Sequence, residues 1–396
     1  MRNVMNLTKQ EKVLVLVVTL ILIILINIIS YYFIKYKLSI SIYSKNYTAQ
    51  QEKFMKTWQD GKKVHPFYGQ ADGNETGFKS DISVENNFVS VSSSSLLDQH
   101  VKVLVLGGSL ASHLSLKRED VPEYLFAKKL NKYFKTDKFV IYNAAFGGGK
   151  QPQQYFKLLY LDFLGFKPDI IINYDGFNEI ALPLSENLNR KLNAIYPRSF
   201  DQLVYSSTYE GECFGFNNFL LSFNSYIPLV EALKWYYVKY CHFSSVKDDP
   251  VKGFTNFQLF KNEEENYLQR TLLVWEIASN RINDFANRNS IPYMHFIQPN
   301  QYLKNSKVLT KLEKKEFFNY EPYFLSIRDH YKELDIQNLD TDLKFDQRYL
   351  FVNEPRTVYS DNCCHLNLIG MEAIIDDIIE RGKNIFHSKL LNISNN

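Results

Sequence analysis

Four short clusters carry residue types that could act on an acyl group. The first is Gly107-Gly108-Ser109, directly after the apolar run VLVL. A serine there would stand at the mouth of a buried strand, its N–H near a helix N-terminus and able to help hold an oxyanion. The same residues also make an ordinary tight turn with Ser109 as N-cap. The second cluster runs from Asn143 to Gly149 and ends in Gly147, Gly148 and Gly149. Successive glycines let a backbone approach a ligand closely, so the Gly148 amide could donate to developing negative charge; a flexible connector is the plain alternative. The third, Asp175-Gly176-Phe177-Asn178-Glu179, offers the Asn178 side-chain amide as a further donor or simply caps a helix. The fourth is Asp361-Asn362-Cys363-Cys364-His365-Leu366-Asn367. A histidine close behind a carboxylate is held in one tautomer while its other nitrogen takes a proton from a serine hydroxyl, the logic of a Ser-His-Asp triad.

The elements that must position these clusters are legible as alternating short apolar runs and longer amphipathic stretches from Val101 onward. Strands are expected at 101–107, 139–145, 169–176, 291–299 and, from YLFVN, 349–353. Helices are expected at 120–134, 151–166, 263–289, about 308–335 and 366–386. Runs dense in Val and Ile followed by helical segments indicate βαβ units and a buried parallel sheet. The expected fold class is α/β, a three-layer sandwich with a mainly parallel, doubly wound sheet whose active site collects at the carboxyl ends of the strands. In the helix from Gln151, Pro152 fits the first turn, and Tyr155, Leu158, Leu159 and Phe163 form an apolar stripe. Residues 181–255, rich in aromatics, read as an insertion within a domain spanning 101–390, and 35–100 as a stalk and irregular lead-in.

Ahead of this domain and behind the tail 1–12, the uncharged run from Val13 to Ile34 is long enough, at ~1.5 Å per residue, to cross a ~30 Å hydrocarbon core. Tyr31, Tyr32 and Phe33 close it, side chains suited to a membrane interface and not to signal peptidase, so an uncleaved transmembrane anchor is expected. Arg2, Lys9 and Lys12 before the run nearly balance Lys35, Lys37 and Lys45 after it, which leaves orientation open. The arrangement itself favours a domain outside the cytosol. With 45% hydrophobic and 22% charged residues in 396, the chain can bury a full core. A net charge of +3 without a basic block argues against a nucleic-acid partner. Cys213 and Cys241 could bridge in an oxidising compartment, whereas the adjacent Cys363 and Cys364 would be strained as a pair and lack zinc-site spacing. Neither a P-loop nor a dinucleotide fingerprint is present, and no cofactor or metal is expected.

In order, the four clusters resemble the blocks of the SGNH/GDSL hydrolase family. Gly107-Gly108-Ser109 resembles the nucleophile block with Gly in place of the usual Asp. Gly148 falls where the second-block glycine lies, Gly176 and Asn178 match the G-x-N block, and Asp361 with His365 resembles the late D-x-x-H pair. The likeness covers about 101–180 and 290–387. It implies a serine hydrolase with Ser109 as nucleophile, His365 as base, Asp361 as its orienter, and an oxyanion hole from Ser109, Gly148 and Asn178. One departure stands out: the family places Asp three residues before His, and here that place holds Asn362. Either the Cys363-Cys364 stretch bulges so that Asp361 still reaches His365, or Asn362 orients the ring; a carboxylate also stabilises the imidazolium, which favours Asp361. Similarly anchored relatives imply an acylated small molecule or envelope glycan as substrate, with acyl transfer or non-catalytic glycan binding as the alternatives.

Overall fold

The computed structural model describes residues 9–37, 62–65, 69–72, 79–80, 99–115, 125–188, 191–198, 266–318 and 330–394. The chain divides into two compact units, 1–61 with 204–254 and 62–203 with 255–396. Most of the expected insertion at 181–255, with Cys213 and Cys241, lies outside the described residues, as does most of the stalk.

In the first unit the described element is α1, Lys9–Lys37. Val15, Val18, Ile21, Leu22, Leu25 and Ile29 are exposed along it. Among the described residues no helix is long and apolar enough to cross a membrane; the side chains of Val13, Leu14, Leu16, Leu20 and Ile23 within α1 are outside the described set.

The second unit is an α/β fold. Strands β1 (Lys62–His65) and β2 (Gly69–Asp72) form an antiparallel pair. A six-stranded sheet has the order β3-β5-β4-β6-β7-β8, from β3 (Lys79–Ser80), β4 (Val101–Gly107), β5 (Phe139–Asn143), β6 (Ile170–Asp175), β7 (Tyr293–Ile297) and β8 (Lys344–Asp346). β3 runs antiparallel to β5, and every other neighbouring pair is parallel. Helix α2 (Ser109–Ser112) follows β4 and α3 (Leu125–Phe134) precedes β5. α4 (Gln153–Phe163) and α5 (Phe177–Leu182) flank β6. α6 (Tyr267–Arg288) leads into β7, and α7 (Lys311–Glu316) and α8 (Leu368–Ser394) complete the order.

Period-two alternation gives each strand two apolar faces, and helices cover both. Val103, Val105, Ile170, Ile172, Met294 and Phe296 pack on one side with Phe126 and Leu130 of α3 and Ile374, Ile375 and Ile378 of α8. Leu104, Leu106, Val140, Ile171 and Tyr293 face the other way, against Leu158 and Leu161 of α4 and Ile282 and Phe285 of α6. The helices therefore sandwich the sheet, and the turns after β4, β5 and β6 open at its carboxyl edge.

Four sequence expectations change. The lead-in is not wholly irregular, because β3 pairs through Lys79 with Asn143 and Ser80 with Tyr142, occupying the free edge of β5. YLFVN is not a strand: the N–H groups of Leu350, Val352 and Glu354 bond to Gln347, Tyr349 and Phe351 carbonyls in successive turns, and Phe351 alone of Tyr349, Phe351 and Val352 is buried. The helical region expected at 308–335 contains α7, with 319–329 outside the described residues. Finally, α4 buries Gln154, Lys157, Leu158 and Leu161, while Phe163 of the expected stripe is 87% exposed. Polar partners on that face explain the rotation: Gln154 Nε2 donates to Glu179, and the Lys157 ammonium stands 5.1 Å from the Phe146 ring centroid.

The two faces of α4 should separate on mutation. Leu158→Ala should lower unfolding stability by about 2–5 kcal/mol, and Phe163→Ser should change it by less than about 0.5 kcal/mol. Urea titration of the two variants measures the difference, and equal losses would contradict the assigned face.

Candidate active site

The turn that carries Ser109 is built where β4 stops. Gly108 lies so close to its neighbours that a Cβ there would sit 2.3 Å from Asn178 Nδ2 and 3.0 Å from the Gly149 carbonyl oxygen, so a side chain there would have to displace the Asn178 amide. Ser109 begins α2, and the Ser112 hydroxyl donates to the Ser109 carbonyl at 2.7 Å. Buried Asn143 ties this short helix to the next loop: its Nδ2 donates to the Ala111 carbonyl at 2.9 Å, and its Oδ1 accepts from Ala145 N–H at 3.0 Å.

Asp361 and His365 arrive on the tip of a hairpin. Tyr359 and Leu366 form an antiparallel bridge, Ser360 N–H donates to the His365 carbonyl, and Asn367 N–H donates to that of Val358. Buried Glu313 holds the incoming limb, its Oε1 accepting from Val358 and Tyr359 N–H at 2.8 and 3.2 Å. The Asn362-Cys363-Cys364 stretch between Asp361 and His365 is taken up in the tip. Asp361 Oδ1 accepts the backbone N–H groups of Cys363, Cys364 and His365 at 2.9, 3.1 and 3.2 Å. Its Oδ2 meets His365 Nδ1 in a short contact. The Asn362 side chain is exposed, so of the two orienters it is Asp361 that reaches the ring.

His365 Nε2 lies 2.7 Å from Ser109 Oγ. With Nδ1–H given to Asp361, Nε2 is left to accept the serine O–H. Burial opposes ionisation of Asp361, but the hydrogen bond and charge of His365, with the backbone amides of Cys363 and His365, outweigh it and bring the carboxyl down to about 2. His113, which no motif singled out, lies against His365 with ring centroids 4.6 Å apart and planes tilted by 31°.

Asn178 and the Gly149 carbonyl pack against Gly108, the residue before Ser109. Gly148 has φ +75°, a left-handed conformation that favours glycine, and a Cβ there would meet Arg198 Cδ at 2.7 Å. Asn178 Nδ2 donates to the Gly149 carbonyl at 2.8 Å, which joins the second and third loops and leaves its other amide proton. Arg198 was also missed by sequence reasoning, since it lies in an irregular segment; its Nε pairs with Glu186 at 2.9 Å.

Beneath the loops are two further carboxylates, Asp175 and Glu179. Asp175 Oδ1 accepts from Trp275 Nε1 at 3.0 Å and contacts His295 Nε2 at 2.9 Å, while Oδ2 accepts from Asn173 at 2.7 Å. Glu179 accepts from Gly176 N–H, Gln151 N–H and Gln154 Nε2 at 2.7, 3.2 and 3.0 Å. Burial and then the Asp175 charge push the Glu179 carboxyl well above its ordinary range. Burial likewise lowers nearby Lys150 to about 7, against the opposing influence of Glu179 and Glu186. The Ser279–His295–Asp175 array has the connectivity of a second triad, with Ser279 Oγ 2.7 Å from His295 Nδ1, but all three side chains are almost fully buried, which makes it a structural network. Cys363, Cys364 and His365 place ligand atoms within 4.8 Å of one another. Both His365 nitrogens are engaged, so a metal there would displace Ser109 or Asp361 from the ring.

No protein-family model matches the chain, and no curated protein matches it. Solved structures to which it is similar include an acetyl xylan esterase, at 13% identity and TM-score 0.34 over 71% of this chain and 98% of that one. A lipase from a goat rumen metagenome is 11% identical with TM-score 0.35, covering 71% and 97%. A lipase/acylhydrolase from Enterococcus faecalis is 8% identical with TM-score 0.34, covering 72% and 95%.

The Asp361 carboxyl sets a pH dependence. Its pKa is lower in the folded chain than its ordinary 3.8, so its stabilisation is complete above about pH 4 and is lost as the pH falls towards 2. Allowing for a side chain that is 38% exposed, the contribution is about 1 kcal/mol. Urea unfolding should show Asp361→Asn losing that margin at pH 6 and only part of it at pH 2.5; a constant difference would contradict the assignment.

Proposed function

We propose that this chain is an SGNH-type serine ester hydrolase, with Ser109 as nucleophile, His365 as general base and Asp361 as the orienting carboxylate. The observation that carries the reading is the continuous relay from Ser109 Oγ through His365 to Asp361 at the carboxyl end of β4. Ser109 attacks the ester carbonyl as its proton passes to His365 Nε2, and the imidazolium so formed is stabilised by Asp361. The N–H groups of Ser109 and Gly148, with Asn178 Nδ2, hold the tetrahedral oxyanion. His365 returns the proton to the departing alkoxide, and a water deprotonated by the same nitrogen then releases the acid.

The substrate class we assign is an acylated small molecule or envelope glycan, acetyl esters first. α1 serves as a single-pass membrane anchor with the catalytic unit extracytoplasmic, a reading supported by the uncharged run Val13 to Ile34 within that helix. If α1 is an anchor, alkaline carbonate should leave the full-length protein in the membrane pellet; release into the supernatant would overturn this part.

Hydrolysis of p-nitrophenyl acetate by the purified full-length protein tests the chemistry. Ser109→Ala and His365→Ala should each lose at least ~10³-fold in turnover, and Asn178→Ala about 10²-fold. Wild-type rates in both of the first two variants would overturn the hydrolase reading. An acylated product appearing only when a glycan acceptor is added would replace water with a sugar hydroxyl in the second step.

A further inference from the structure

Cys363 and Cys364 sit between Asp361 and His365, at the tip that shapes the relay. Both are free, their Sγ atoms are 3.0 Å apart, and Cys363 is partly exposed while Cys364 is buried. Neither thiol touches Ser109 in the proposed chemistry, yet the backbone N–H of each donates to Asp361 Oδ1. We propose that this pair is a redox-modification site, and that its oxidation to a vicinal disulfide by an external disulfide disarms the Ser109–His365–Asp361 relay. The inference rests on the reading of that relay as the catalytic site of an ester hydrolase.

The chemistry balances with a small-molecule or protein disulfide as oxidant. The Cys363 thiolate attacks one sulfur of the external disulfide and expels the first thiolate, leaving a mixed disulfide on Cys363. The Cys364 thiol gives up its proton and attacks Cys363 Sγ, expelling the second thiolate. Two protein thiols become one disulfide, the external disulfide becomes two thiols, and the two protons lost by the cysteines go to the expelled thiolates. The order of attack follows the environments. Cys363 is the more exposed, and the hydrogen bond from Cys364, against burial, with the His365 charge lowers its pKa. Burial and the contact with Cys363 raise that of Cys364. The partly exposed sulfur is the attacking one, and the buried sulfur resolves.

Ring closure reaches the relay through the backbone. Neighbouring Cα atoms are ~3.8 Å apart, shorter than the ~4.4–6.8 Å that an unstrained disulfide spans. The closed ring therefore turns the 363–364 peptide away from its present conformation, and with it the amides that hold Asp361 Oδ1. Strain also makes the bond readily reducible, which suits a reversible gate more than a permanent brace.

The test uses the purified full-length protein equilibrated in reduced and in oxidised glutathione, with parallel peptide mass analysis and p-nitrophenyl acetate hydrolysis. In the oxidised buffer the peptide holding Cys363 and Cys364 should lose the mass of two hydrogens. Turnover should fall at least about tenfold and return on reduction. Cys363→Ser, which lacks the attacking sulfur, should keep the same rate in both buffers, and Cys364→Ala should stop at the mixed disulfide, its peptide gaining glutathione instead of losing two hydrogens. The proposal is overturned if the thiols stay unpaired, if either pairs with Cys213 or Cys241 instead, or if the vicinal bond forms without loss of turnover. A reduced protein without esterase activity would instead remove the reading on which the gate rests, while the mass measurement still reports separately whether the bond forms.

Discussion

One carboxylate organises the site. Asp361 is both the far end of the Ser109–His365 hydrogen-bond chain and the core of the loop that carries it, because Oδ1 gathers the amides of Cys363, Cys364 and His365 while Oδ2 holds His365 Nδ1. A buried or half-buried carboxylate needs donors, and a tight tip offers several N–H groups pointing inward. Satisfying that need curls the chain until the imidazole beyond it faces Ser109. The limbs below are fixed by the Ser360–His365 and Val358–Asn367 hydrogen bonds and by Glu313, so the tip has little freedom to relax.

The other half of the site is held by buried hydrogen bonds under the sheet edge. Glu179 accepts from Gly176, Gln151 and Gln154, which binds the loop after β5 to the turn after β6. Gln151 also reaches Asp175 through its side chain, at 3.4 Å. The proposed oxyanion donors Gly148 and Asn178 lie on these two loops, and their separation is set by this network together with the Asn178–Gly149 hydrogen bond. Truncating one member of such a network leaves several buried donors without partners, at about 1–3 kcal/mol for each. The loops are thus positioned as one body and not one at a time.

Much of this was legible in the sequence where a short pattern had a single physical solution. Runs such as VKVLVLG and DIIINYD read as buried strands and are β4 and β6, with Ser109 and Asn178 just beyond their carboxyl ends. Patterns failed where polar residues are buried. The expected stripe on α4 counted apolar side chains and missed that Gln154 and Lys157 face inward because Glu179 and the Phe146 ring receive them. YLFVN has the composition of a strand, but local turns consume its N–H groups. His113 and Arg198 carry no motif, and only the fold brings the first onto His365 and the second onto Gly148. The choice between Asp361 and Asn362 likewise depended on a loop whose curl is set by three backbone amides, a feature with no sequence signature.

The most direct measurement of the central claim is the low-field proton resonance of the His365 Nδ1–H in the full-length protein. A carboxylate partner shifts this proton far downfield, and a side-chain amide does not. The signal should be present in the parent chain, persist in Asn362→Ala and vanish in Asp361→Asn. Its survival in Asp361→Asn together with its loss in Asn362→Ala would contradict the role given to Asp361.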